Sequence, residues 1–254
     1  MKKVVNVILI LVMFLLLFLG FKELSKFWKL AEDINSIQNI AIKVPEGDGT
    51  GDTDVDRGDP FNRYIDFDAL SKINKDIVAW IYIPGTPIDY PILVGSEDET
   101  YLNRDMYGNY NGLGSVFAFS GVDLSKNNHI CLFAHNMVSG QMFGTLTKYS
   151  SVDYANAHKN MYIYTKDRTK ECSLISVFGC KAYDEVFELT SVSAEDADSS
   201  ELMKSISDRS VVSIDTSSIR ENQIFTLSTC NGYTGTDNRF TTHFVVTKEK
   251  YIIP

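Results

Sequence analysis

At 254 residues, 44% hydrophobic, 12% aromatic and 22% charged, the chain has the make-up of a folded globular protein with room for one sizeable domain and an anchor, not two full enzyme domains. A formal charge of -9 argues against a nucleic-acid partner, because phosphate binding needs clustered Lys and Arg that this sequence does not show. Four cysteines, Cys131, Cys172, Cys180 and Cys230, do not space themselves as a disulfide framework; Cys172 and Cys180 fall in one strand-like run, roughly 27 Å apart at strand rise. Free thiols are expected.

Lys2 and Lys3 precede Val4 to Phe21, an apolar run broken only by Asn6, and this predicts a transmembrane anchor over residues 1–21. The following Lys22-Glu23-Leu24-Ser25-Lys26 lacks a small-residue cleavage site, so the segment reads as retained rather than as a signal peptide. From Lys22 to about Ile42, Leu24, Phe27, Trp28, Ala31, Ile34 and Ile37 recur at helical spacing. Glu46 to Asp59 then carries six acidic residues and four glycines, a solvated linker closing a 22–59 segment and reaching roughly 20 Å.

Residues 60–254 form the expected main folded domain. After a short helix over Asp66 to Asn74, brief β-type runs follow: Ile77 to Ile83, Ile88 to Val94, Ser115 to Phe119, His129 to Ala134, Met161 to Thr165, Cys172 to Lys181, Ile224 to Thr229 and Phe244 to Thr247. Eight strands with turn residues between them predict a mainly β fold, a barrel or sandwich. Helical stretches are expected at Met142 to Tyr149 and, opened by the capping pattern Ser193-Ala194-Glu195-Asp196, to about Ser207.

The chemistry concentrates at strand ends. Thr226-Leu227-Ser228-Thr229-Cys230 delivers a thiol to the end of a β run, and a thiol becomes a nucleophile when a base takes its proton or a nearby cation stabilises the thiolate. Of four histidines, His135 directly follows a predicted strand and opens a glycine-containing loop, which makes it the candidate acid/base. Arg239 stands in a turn nine residues after Cys230; if the flanking strands pair antiparallel, its guanidinium lies beside the thiol and can meet a developing oxyanion. Acyl transfer is the reaction class these groups suit.

Several separated motifs then resemble a class B sortase, over roughly residues 60 to 250. They are Asp76-Ile77-Val78-Ala79-Trp80-Ile81 with Pro84-Gly85-Thr86-Pro87-Ile88-Asp89-Tyr90-Pro91; Tyr101-Leu102-Asn103 with Gly114-Ser115-Val116-Phe117; Ala134-His135-Asn136-Met137 with Met142-Phe143-Gly144; and Thr226 to Cys230 with Arg239. The resemblance implies an eight-stranded sortase-like barrel with N-terminal helices and a helix in the connection before the nucleophile strand. It implies Cys230 as nucleophile, His135 as acid/base and Arg239 as oxyanion or positioning cation, with Leu102, Ser228 and Thr229 lining the substrate groove.

The implied reaction cleaves an Asn-Pro-x-Thr-like sorting motif of a secreted protein and passes the acyl group to an amine of a cell-wall peptide or lipid-linked precursor. A pilin lysine as acceptor is the alternative, and the location is the membrane of a Gram-positive cell with the catalytic domain outside. No cofactor is required by this chemistry. Two features depart from the family pattern: Ala134 stands where glycine is usual, and Phe240-Thr241-Thr242-His243 separates Arg239 from the valine-rich Phe244-Val245-Val246. The residues alone leave three other readings open: a hydrolytic cysteine protease with the same Cys and His, a zinc site from Cys131, His135 and Cys230, and a binding module with an inert core thiol.

Overall fold

The computed structural model describes residues 2–43, 58–188, 199–217, 219–220, 222–232 and 236–252. The chain divides into two units, residues 1–40 and 41–254. The first is a single helix, α1 (Lys2–Ala41), with no break between the apolar run and the amphipathic stretch expected after it. It is the one helix among the described residues long and apolar enough to cross a membrane, and its large apolar side chains from Val4 to Leu19 are exposed. The acidic linker lies almost wholly outside the described residues.

In the second unit, β1 (Ile42–Lys43) pairs with β2 (Tyr64–Ile65), and α2 (Phe67–Ile73) follows, its first turn capped by the Asp66 carboxylate, which accepts from Ala69 N–H at 2.9 Å. Eight strands then close a barrel: β3 (Ile77–Tyr82), β4 (Asp89–Val94), β5 (Val116–Ala118), β6 (His129–Phe133), β7 (Asn160–Tyr164), β8 (Arg168–Lys181), β9 (Ile224–Cys230) and β10 (Asn238–Tyr251). Their order round the barrel is β10-β8-β7-β3-β4-β5-β6-β9, so the last strand seals against both β8 and β9. Each expected strand is present. Two are longer than their apolar runs, because β8 and β10 pair along most of their length and the ladder continues through charged residues.

Phe240-Thr241-Thr242-His243 forms no inserted loop. These residues lie inside β10, hydrogen-bonded on both sides, with a bulge only between His243 and Phe244 where β8 is opposite. The helix expected at Met142 starts later. Met142 takes a left-handed φ of 51°, bridges back to Asn136 and gives its N–H to the Tyr90 hydroxyl at 3.1 Å, so the helical turn runs Leu146–Ser150 and leads into α3 (Val152–Ala157). The connection from β8 to β9 carries α4 (Glu185–Glu188) and α5 (Ser199–Asp208); the capping pattern at residues 193–196 lies outside the described residues.

The period-two pattern of β9 sorts its side chains to two faces. Phe225 and Leu227 point into the barrel and are fully buried, while Ile224 joins Ile175, Val245 and, from the crossing helices, Val186, Leu202 and Ile206 in one apolar cluster. Helices cannot enter so narrow a barrel, which identifies the Ile224–Thr226–Ser228–Cys230 face as the outer one. The β8–β9 connection therefore roofs the lower part of the face that carries the thiol.

Candidate active site

Strand register assembles the site. β9 lies between β6, parallel to it, and β10, antiparallel to it. Arg239 sits directly opposite Cys230, and Phe133 pairs with Ser228. One further ladder bond, Ala134 N–H to Ser228 O at 3.4 Å, carries the β6–β9 register up to His135 beside Cys230. Cys230 is thus the middle of three neighbouring strands, with the imidazole-bearing chain on one side and the guanidinium-bearing chain on the other.

Beyond that point β6 leaves the sheet, and a side chain replaces its backbone: Asn136 Nδ2 donates to Cys230 O at 2.8 Å. This continues the parallel ladder one step past the strand end while the main chain diverges to open a mouth. Below it, the Thr229 hydroxyl donates to Ala134 O at 2.8 Å. Ala134 needs no glycine here, since Met142 alone among the described non-glycine residues has a positive φ.

The imidazole of His135 is anchored from outside the strands. Its Nε2 lies 2.8 Å from Leu102 O, in the turn Thr100–Asn103, and because a carbonyl only accepts, Nε2 carries the proton. No hydrogen bond joins Cys230 Sγ to the ring among the described residues. Among those residues Arg239 makes no ion pair; its Nη1 donates to Thr236 O at 2.8 Å and Asn238 O at 3.1 Å, leaving Nε and Nη2 available out of five donors.

The other three thiols are unsuited to nucleophilic work. Burial pushes Cys131 and Cys172 far up, and burial with nearby Asp184 pushes Cys180 up to about 11. All four cysteines are free. Cys131 pairs with Thr226, four positions down β9 from Cys230, roughly 13 Å at strand rise, so the zinc set considered from sequence is not brought together. Among the described residues no three His, Cys, Asp or Glu converge as metal ligands.

Of the three expected groove residues, Leu102 is half-buried and meets His135 through its carbonyl, Ser228 is buried on the thiol's face with an unpartnered Oγ, and Thr229 points the opposite way. Asn136 and the Leu102 carbonyl were given no role from sequence. Asn136 lies in the Ala134-His135-Asn136-Met137 run; a main-chain acceptor leaves no signal in a side-chain pattern.

Beneath the thiol, on the same outer face, runs a buried polar file. The Thr241 hydroxyl donates to Phe178 O at 3.0 Å, so His243 Nε2–H must donate to Thr241 Oγ1 at 2.9 Å, leaving Nδ1 to accept from the Thr226 hydroxyl at 2.8 Å. Thr226 has then spent its proton and accepts from His129 Nε2–H at 2.7 Å, and His129 Nδ1 is left buried without a partner. One carbonyl orders every proton in the file, and both imidazoles are neutral. Burial holds His129 down to about 4 and His243 well below the usual histidine range, the latter with added repulsion from His129 and Arg209.

Known proteins resemble this chain along most of its length. Sortase B of Staphylococcus aureus is 30% identical over 175 residues, 68% of this chain and 71% of that protein; sortase B of Listeria monocytogenes is 27% identical over 163 residues, 64% and 65%. No protein-family model matches. Among solved structures, a substrate complex of S. aureus sortase B superposes with TM-score 0.64 at 28% identity, covering 72% of this chain and 84% of that one. Sortase B from B. anthracis superposes with TM-score 0.69 at 25% identity, covering 89% and 99%.

Fold and likeness together define the class, a cysteine transpeptidase of Gram-positive bacteria built on a closed eight-stranded barrel. The chain belongs to the sortase B family.

Proposed function

We propose that this enzyme is held in the membrane by α1 and, on the outer side, joins secreted proteins bearing an Asn-Pro-x-Thr-like sorting motif to an amine of a cell-wall peptide or its lipid-linked precursor. Cys230 is the nucleophile. His135 takes the thiol proton as the sulfur attacks the threonine carbonyl and a C–S bond forms; the C–N bond to the next residue then breaks, and His135 delivers that proton to the departing amine. The incoming amine then attacks the thioester and gives up a proton to His135, a C–N bond replaces the C–S bond, and His135 returns the proton to the leaving sulfur, restoring the thiol. Arg239 uses Nε and Nη2 to steady the carbonyl oxygen or the peptide.

The observation that carries this reading is the register that sets Arg239 opposite Cys230 and brings His135 level with it across β6. The membrane assignment rests on the apolar length of α1 and on the exposure of its large apolar side chains. Among solved sortase B structures, one is a substrate complex and one holds triglycine, which supports an extended peptide as donor and an amine as acceptor. Leu102 and Ser228 suit the groove, being close to His135 or on the thiol's face; Thr229's hydroxyl is already used by Ala134 O.

The test is mass spectrometry of the full chain in detergent with a sorting peptide, with and without an added triglycine amine. An acyl adduct on Cys230, resolved into a peptide–triglycine product, is expected. Turnover by Cys230→Ala at the unaltered rate overturns the assignment, and equal hydrolysis with no amine product overturns transfer.

A further inference from the structure

We infer that the Leu102 carbonyl, seated by Gly114, is the orienting group of His135: it holds the imidazole in the Nε2–H form, so that Nδ1 alone exchanges protons during acyl transfer. This rests on the acid/base reading of His135 given above. The contact itself is the 2.8 Å bond between Nε2 and Leu102 O. A neutral imidazole has one N–H and one lone pair, so a carbonyl acceptor at Nε2 decides which nitrogen is left with the lone pair. Main-chain carbonyls do this without a charge, and here no carboxylate is hydrogen-bonded to the ring among the described residues.

Gly114 is what allows the approach. It has a left-handed φ of +62°, and a Cβ there would stand 2.5 Å from Leu102 O, 3.0 Å from Tyr101 O and 3.1 Å from His135 Cδ2. Both costs fall at once: a side chain is strained in that conformation and collides with the carbonyl and with the ring it holds. The turn is braced elsewhere, because Gly114 N–H donates to Asn111 O at 2.9 Å and Ser115 N–H to Tyr101 O at 3.0 Å. The loop is therefore rigid where it meets the imidazole. The Nε2–Cδ2 edge of the ring lies against this loop, and the opposite edge carries Nδ1.

The experiment is ring-nitrogen NMR of the full chain labelled at histidine, combined with kinetics of Gly114→Ala. In the unaltered protein at neutral pH, His135 is expected in the Nε2–H tautomer with a slowly exchanging ring proton. Gly114→Ala is expected to show mixed tautomers at His135, with kcat lowered about a hundredfold, KM little changed and a displaced pH–rate profile. A dominant Nδ1–H tautomer in the unaltered protein overturns the proposal, as does a folded Gly114→Ala with unaltered kcat and tautomer. If that variant does not fold by circular dichroism, the tautomer of the unaltered protein decides alone. His135→Gln separates the two claims: full transfer activity in that variant sinks the acid/base reading and leaves the tautomer result standing.

Discussion

The buried file His129–Thr226–His243–Thr241 makes a stability prediction whose size follows from the fold. Both imidazoles face other groups that cannot accept a second charge: Thr226 and Cys131 against His129, and Thr226, Thr241 and the stacked Phe178 ring, with Arg209 over that ring, against His243. Protonating Nδ1 of His243 would set a donor against the Thr226 donor, so the whole proton order fails. With the folded pKa of His129 at about 4 and the unfolded value near 6.5, the unfolded chain binds more protons between those limits. Stability is therefore full above pH 6.5 and falls as pH drops toward 4. At pH 5 the loss from His129 alone is about 2 kcal/mol, from 1.5 pH units at 1.36 kcal/mol each, and His243 adds in the same direction.

Carboxylates do not confuse this window. Asp123, held down to about 2 by hydrogen bonds from Ser125, loses its contribution only below the ordinary value of 3.8. Urea unfolding of the full chain in detergent at pH 7, 6 and 5 measures the effect, and a His129→Gln/His243→Gln double variant should flatten most of the slope. An unaltered chain equally stable at pH 7 and 5, or a double variant with the same slope, refutes the neutral, proton-ordered file.

Arg239→Lys keeps a positive charge but loses the planar donors left free by the two carbonyl bonds; kcat for peptide transfer should fall about a hundredfold, with little change in unfolding midpoint. Asn136→Ala removes the amide that holds Cys230 O, and should cost about 1 kcal/mol in urea unfolding together with a lowered rate of acyl-enzyme formation in stopped-flow assays. Leu227→Ala, near the strand end that carries Cys230 but facing the barrel interior, should cost about 3 kcal/mol by cavity formation; a loss under about 1 kcal/mol would show the side chain is not core.

Much of the barrel is written in local pattern. Alternating β-branched and aromatic runs mark all eight strands, Asp66 marks the start of α2, and the apolar stretch from Val4 to Phe21 marks the first half of α1, because each of these depends on residues within a few positions of one another. The local pattern also misled at Met142, where helical spacing gave way to a left-handed residue that a bridge to Asn136 and the Tyr90 hydroxyl demand. Neither partner is a helical neighbour.

By contrast, the candidate site depends on contacts between residues far apart in the chain. Nothing near Arg239 in sequence states that it faces Cys230, since β10 could pair with β9 in several registers and each slip of one residue turns every side chain to the other face. Closure of the barrel selects one. The proton order of the buried histidines is set by the Phe178 carbonyl, 63 positions before the Thr241 that it binds, and the tautomer of His135 by Leu102 O, 33 positions before it. Residue types and their strand-end positions name the chemistry available to this chain; hydrogen-bond register, a property of the closed sheet and of no single segment, decides which groups meet.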